Sequence, residues 1–212
     1  MIAVLWAGLA ILLIVVISEY LGRTGTLRGE AARKLVHIVG GVFIAFWPFF
    51  MSFKTIELLS LAAVVAVAAV RYLKLFGSLH DVERKSAGDV MFALGALASA
   101  VIAQDKWIFA AAILELSLAD GLAAIVGTRF KSKQLLHIKG ERRTLVGTLT
   151  FFIVSLLILA WLTVVAPSGL HDLVIYIPWL AIQATAVEFV SIWGTDNILV
   201  PSLMALVLRG LR

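Results

Sequence analysis

Apolar residues dominate this chain in long runs, broken by short polar stretches. A helix that crosses a bilayer needs about 20 such residues. By that measure the pattern predicts helices near 2–18, 35–52, 55–71, 89–104, 107–127, 145–165 and 173–193. A shorter run, 198–208, has room for an eighth helix, tilted or re-entrant. The polar stretches reach only roughly 15–20 residues, too few to bury a core of their own. The expectation is therefore an all-α, polytopic integral membrane protein of about seven transmembrane helices, with 1–212 as one domain. The first run lacks a basic flank and a small-residue cleavage site before Ser18, so it reads as a retained helix rather than a signal peptide.

Composition sharpens this picture. Of 212 residues, 62% are hydrophobic, against about 45–50% in a soluble domain, and the mean hydropathy is +1.04. The absence of cysteine excludes a disulfide framework and a thiolate metal site. The net charge of +5 is confined to a few loops, so it reads as membrane topology and implies no nucleic-acid partner. Basic residues crowd the loops after the first, third and fifth helices. The loops between hold only Lys54 and Lys106, and Arg209 and Arg212 end the chain. The positive-inside rule then places the odd-numbered loops in the cytoplasm and the N-terminus outside, as expected of a protein of the inner membrane.

The run 107–127 departs from its neighbours, because it carries two carboxylates, Glu115 and Asp120. An ionisable group at membrane depth is costly unless it is paired or lines a wet cavity, so it marks a functional site by default. Asp120, Ala123, Ala124 and Gly127 fall at i, i+3, i+4 and i+7 and share one face, where small residues let another backbone come close. Glu115 lies on a different face, placed to pair with a polar group of another helix.

Other polar clusters lie at the same end of the helices. Arg33 and Lys34 sit at the mouth of the second helix with His37 one turn deeper; they fit a phosphate and serve equally well as headgroup anchors. Arg84, Lys85 and Ser86 precede the fourth helix, where Ser86 or Asp89 can cap the N-terminus, and a helix N-terminus beside two cations suits an anion. The basic loop 129–143 reads either as a patch facing anionic lipid or as a phosphate lid, with Lys139, Arg142, Arg143 and Thr144 leading into Gly147 and Thr148. No GxxxxGK[ST] or GxGxxG is present. Glu188 lies near the inner end of the seventh helix, with Ser191 and Thr195 on its stripe; Asp196, Asn197 and Pro201 then look like a broken helix. Under the positive-inside assignment all these clusters face the cytoplasm, and one shared site accounts for that economically.

At these residues the sequence resembles the membrane lipid-alcohol kinases, the family of dolichol kinase, phytol kinase and the CTP-dependent diacylglycerol kinase. The matching segments are Arg33-Lys34-x-x-His37; Arg84, Lys85, Ser86, Gly88 and Asp89; Asp120 with Ala123, Ala124 and Gly127; Arg143, Thr144, Gly147 and Thr148; and Glu188 followed by Asp196, Asn197 and Pro201. They keep the family's order from about 33 to 201, with one departure: Val146 stands where relatives often carry Glu, and Glu141 is the nearby carboxylate.

The resemblance implies CTP as phosphate donor, Mg²⁺ or another divalent cation, and an isoprenoid or acylglycerol alcohol as acceptor. Asp120, Glu188 and His37 would then be catalytic, with Asp120 a metal ligand or the carboxylate that orients the lipid hydroxyl. Glu188, Asp196 and Asn197 would be further metal ligands, and Arg84, Lys85, Lys139, Arg142 and Arg143 would hold the triphosphate. A cytidylyltransferase that makes a CDP-lipid would use the same parts. A small transporter is a third reading, but its relay of charges should continue across the bilayer, whereas these acids crowd toward one face.

Overall fold

The computed structural model describes residues 2–25, 30–73, 87–130, 132–138, 141–166 and 171–212. Among these, eight helices follow one another: α1 (Ile2–Arg23), α2 (Glu30–Ala45), α3 (Phe53–Tyr72), α4 (Gly88–Ala103), α5 (Lys106–Arg129), α6 (Leu145–Val165), α7 (Ile177–Val190) and α8 (Asp196–Gly210). Five segments are long and apolar enough to cross a membrane: α1, α3, α5, α6, and α7 with the turn before it. The protein is an all-α integral membrane protein, as its apolar runs predict.

The helices differ in how they meet their surroundings. Only 17% of the apolar window of α1 and 11% of that of α3 is buried, so these two lie on the outside of the bundle with most of their apolar side chains exposed. In α5 the figure is 78%, which makes it the central element, with Ile108 to Ile113 fully enclosed. A helix apolar on every side is stable only when packed on every side or bathed in lipid, and α5 takes the first course. Asp105 starts it by accepting hydrogen bonds from the Trp107 and Ile108 amides at 2.9 and 3.0 Å.

Several boundaries differ from those the apolar pattern predicts. The second helix ends at Ala45 rather than 52, and a 3₁₀ turn, Trp47–Phe49, follows with Pro48 at its start. The seventh opens with a 3₁₀ turn, His171–Tyr176, before Pro178, and stops at Val190. Ser191 therefore lies beyond the helix in extended conformation, and Ser191 and Thr195 do not continue the Glu188 stripe. The short run 198–208 belongs to a full helix, α8, that begins at Asp196. It runs parallel to α4: the Ala87 amide bonds the Trp193 carbonyl at one end, and at the other Arg209 bonds the Ile102 carbonyl and Arg212 pairs with Asp105. The N-cap of α4 is Ala87, with no side-chain cap, whereas Asp89 lies in the first turn and pairs with Arg71 at 2.9 Å. Ser86, the other expected cap, lies outside the described residues.

The basic loop between α5 and α6 holds an antiparallel hairpin, β1 (Gln134–Ile138) and β2 (Glu141–Thr144). Charge masks the alternation there, so the sequence reads as loop. Thr144 ends the hairpin and caps α6, its hydroxyl accepting from the Gly147 amide at 3.2 Å and donating to the Gly127 carbonyl at 3.3 Å. Gly127 and Gly147 face each other where α5 and α6 cross, as the small-residue face of α5 predicts.

α2 reaches α5 just as closely. A Cβ added at Gly41 would stand 2.3 Å from Ser117 Cβ, a separation real side chains do not reach. Gly41→Ala should therefore destabilise the protein by about 1–3 kcal/mol, the usual cost of overpacking, seen as an earlier thermal unfolding midpoint in detergent. Gly8→Ala, with nothing within 4 Å of its new Cβ, should leave the midpoint in place. Equal midpoints would show that the α2–α5 contact can yield.

Candidate functional site

The site begins with a defect in the central helix. Residues Glu115–Ala119 wind as a single π turn, a feature concentrated at functional positions. The wider winding sends the Asp120 amide to the Glu115 and Ser117 carbonyls and passes over that of Leu116. His37 takes up the Leu116 carbonyl instead, with Nε2 at 2.8 Å. A carbonyl only accepts, so Nε2 carries the proton. The same Nε2 is 3.1 Å from Asp120 Oδ2. Lys34, one turn earlier on α2, reaches that oxygen at 2.6 Å. Arg33, the next residue around the helix, is half-buried.

Two further acids converge on Asp120 from the break between α7 and α8. Glu188 and Asp196 offer oxygens that, with one from Asp120, all lie within 4.8 Å of one another, and all three residues are buried. Arg143 closes the cluster from β2. Its guanidinium pairs with Glu188, meets Asp196 Oδ2 at 2.9 Å and donates to the Ser191 carbonyl at 3.3 Å. Burial alone would lower the Arg143 pKa, but the Glu188 and Asp196 carboxylates outweigh it and hold the group above its ordinary value. Strand alternation explains why Arg143 turns inward while Arg142 beside it is exposed.

Asn197 completes the group. The residue is buried, and its backbone N–H donates to Asp196 Oδ1 at 2.9 Å. Three carboxylates thus face two fixed cations and a histidine, all brought from elements far apart in sequence.

The oxygens fit a hard divalent cation. In an octahedron with bonds of about 2.1 Å, ligands of Mg²⁺ stand about 3.0 Å apart when adjacent and about 4.2 Å when opposite, so the three acids need to draw together from their present 4.8 Å limit to share one ion. Two acceptors at the site, Glu188 Oε2 and Asn197 Oδ1, are buried with no hydrogen-bond donor. Two donors, Arg143 Nε and Thr148 Oγ1, are buried with no acceptor. Asp120, Glu188 and Asp196, with Asn197 next in the chain, are therefore able to hold a cation, and the spare Arg143 Nε donor suits an anion.

Of the residues singled out in the sequence, His37, Lys34, Asp120, Arg143, Glu188 and Asp196 meet in this cluster, and Asn197 follows Asp196 directly in the first turn of α8. Thr144 and Gly147 serve the cap and the helix crossing beside it, together with Ala123, whose carbonyl lies against Gly147. Ala124 is half-buried on the same helix. Arg84, Lys85, Ser86 and Lys139 lie outside the described residues, as does the Glu141 side chain. Glu115 stands apart: Ser155 of α6 donates to its Oε1 at 2.7 Å, the interhelical partner its position predicts. Sequence reasoning misses the Leu116 carbonyl, since a π turn leaves no mark that distinguishes it from ordinary apolar helix.

Comparison with known proteins finds a relative along most of the chain. The chain is 35% identical over 203 residues to the phytol kinase of Synechocystis sp. (strain ATCC 27184 / PCC 6803 / Kazusa), a match that covers 92% of this chain and 84% of the relative. No protein-family model matches the chain, and no solved structure does.

Removing Arg143 would leave Glu188 and Asp196 buried without their shared cation. Arg143→Met should therefore cost about 3–5 kcal/mol, as breaking a buried ion pair does. Exposed Arg142→Met should stay within about 0.5 kcal/mol. Denaturant or thermal unfolding in detergent measures both, and similar small losses would contradict the inward placement of Arg143.

Proposed function

The chain belongs to the membrane lipid-alcohol kinase family, and on that premise we propose that it transfers the γ-phosphoryl group of a nucleoside triphosphate, CTP foremost, to the hydroxyl of a long-chain lipid alcohol. The phytol kinase relative supports an isoprenoid alcohol of the phytol or polyprenol type over diacylglycerol. The observation that carries the reading is the buried group of Asp120, Glu188 and Asp196 with Lys34 and Arg143 fixed against it.

Phosphoryl transfer demands mainly positioning and charge neutralisation. Bound by Asp120, Glu188, Asp196 and Asn197, a divalent cation such as Mg²⁺ would neutralise charge on the donor phosphates. Arg143, held by two carboxylates, keeps its Nε hydrogen for a phosphate oxygen, and Thr148 offers its hydroxyl likewise. Lys34 and the half-buried Arg33 supply further positive charge beside this cluster; for Arg84, Lys85 and Lys139 the family resemblance alone suggests a part in holding the triphosphate. Asp120, fixed by Lys34 and His37, orients the lipid hydroxyl and accepts its proton. The alcohol oxygen then bonds to the γ-phosphorus, the bridge to the β-phosphate breaks, and the nucleoside diphosphate leaves. The positive-inside distribution supports a site on the cytoplasmic face of the inner membrane, where a soluble nucleotide meets a lipid.

Purified protein in detergent should move label from γ-labelled CTP, not α-labelled CTP, to phytol or a polyprenol, and a chelator should stop the transfer. Transfer of the α label would identify a cytidylyltransferase instead. Asp120→Asn should lower the rate at least about 100-fold, the scale on which lost electrostatic stabilisation acts, with expression near normal. A wild-type rate in that variant would remove Asp120 from the mechanism.

A further inference from the structure

Pro201 lies inside α8, in a helix that packs along the whole of α4. A proline has no N–H to give the carbonyl four residues earlier, here that of Asn197. This carbonyl does not turn to water, since Asn197 is buried. It rests on Gly95 of α4. A Cβ built on Gly95 would stand 2.0 Å from the Asn197 oxygen, 3.1 Å from its carbonyl carbon and 3.2 Å from Pro201 Cγ. The released carbonyl and the missing side chain therefore form one joint, and no other residue type fits at 95 without moving the first turn of α8.

That turn carries two of the residues argued above to hold the cation. The Asp196 side chain meets Arg143, and Asn197 Oδ1 stands buried without a donor. The other anchor of the turn is the Ala87 amide on the Trp193 carbonyl, at 3.3 Å. Between Val190 and Asp196 the chain runs as extended residues and a turn, with Trp193 at φ 56° and Gly194 at φ 82°. The bulky Trp193 in a left-handed conformation persists only where its surroundings over-determine it. The segment is thus pinned on both sides of the break.

We propose that Gly95 and Pro201 are positioning residues of the cation site. They fix the depth and rotation of the first turn of α8, and with it the spacing of Asp196 and Asn197 from Asp120 and Glu188. The inference rests on the reading of this cluster as a cation-dependent phosphotransfer site. Neither residue touches substrate. An ordinary contact for a Cβ begins at 3.4 Å, against 2.0 Å here, so Gly95→Ala must move the new methyl and the Asn197 carbonyl apart by about 1.4 Å, and a displacement of about 1 Å is already able to cost about 100-fold in rate.

The test uses the full chain in detergent, with Mn²⁺ as the probe and its binding followed by electron paramagnetic resonance without substrates. Gly95→Ala should weaken Mn²⁺ binding about tenfold or more, the scale seen when the support of a metal site is disturbed. Gly8→Ala should bind as wild type. Pro201→Ala restores an N–H to the Asn197 carbonyl and draws it into the helix, so it too should weaken Mn²⁺. It should also make room for the new methyl, so Gly95→Ala with Pro201→Ala should bind more tightly than Gly95→Ala alone. If Gly95→Ala fails to fold, Pro201→Ala alone decides by its Mn²⁺ affinity. Wild-type affinity in both single variants, or strictly additive losses in the double, would overturn the proposal, as would a wild-type protein that binds no Mn²⁺. A wild-type protein that binds Mn²⁺, phosphorylates no alcohol, and still loses Mn²⁺ on Gly95→Ala would sink the kinase reading while leaving the positioning role in place.

Discussion

Burying acids beside hydrocarbon is unfavourable by several kcal/mol for each, and the rest of this structure follows from how that cost is met. Asp120, Glu188 and Asp196 are compensated by Lys34 and Arg143, which come from a different helix and from a hairpin. Neither cation could reach its partners from its own neighbourhood in sequence. The fold must therefore bring α2, α5, α7, the start of α8 and the hairpin to one point. Each close crossing serves that end: Gly41 against Ser117, Gly127 against Gly147, and Gly95 against Asn197. Small residues occur where helices must meet at backbone distance, and large apolar ones fill the far end, where Phe49, Trp107 and Trp161 pack edge to face.

The π turn connects this packing with the chemistry. An unbroken α-helix would direct the Asp120 amide to Leu116 and leave His37 without that carbonyl. With one turn wound wider, the spare carbonyl fixes the His37 tautomer, and His37 in turn steadies Asp120. Such an arrangement pre-orients a carboxylate before any substrate arrives, which is the main contribution a protein makes to phosphoryl transfer.

Much of this was legible in the sequence, for identifiable reasons. Apolar runs report helices directly, because lipid and protein interior both demand them. Asp120 and Glu188 were conspicuous because acids are rare at that depth, and Lys34 and Arg143 because basic residues mark loop ends. The sequence could not reveal that Arg143 rather than Arg142 turns inward, since that depends on the register of a short hairpin with no apolar alternation to betray it. The π turn and the carbonyl released by Pro201 were hidden for a related reason: both are properties of backbone hydrogen bonds, and side-chain pattern records them only indirectly. The eighth helix fell short of a spanning length because its first turn is polar, as a turn that lines a site has to be.

The central claim is that the three acids and the donor phosphates share one divalent cation. Pulsed electron paramagnetic resonance of Mn²⁺ bound to the protein with CTP tests it most directly. The account predicts phosphorus hyperfine coupling in the wild-type complex, lost or sharply reduced in Glu188→Gln. Manganese that binds with CTP and shows the same coupling in that variant would mean that the cation sits elsewhere, and the buried acids would need another explanation.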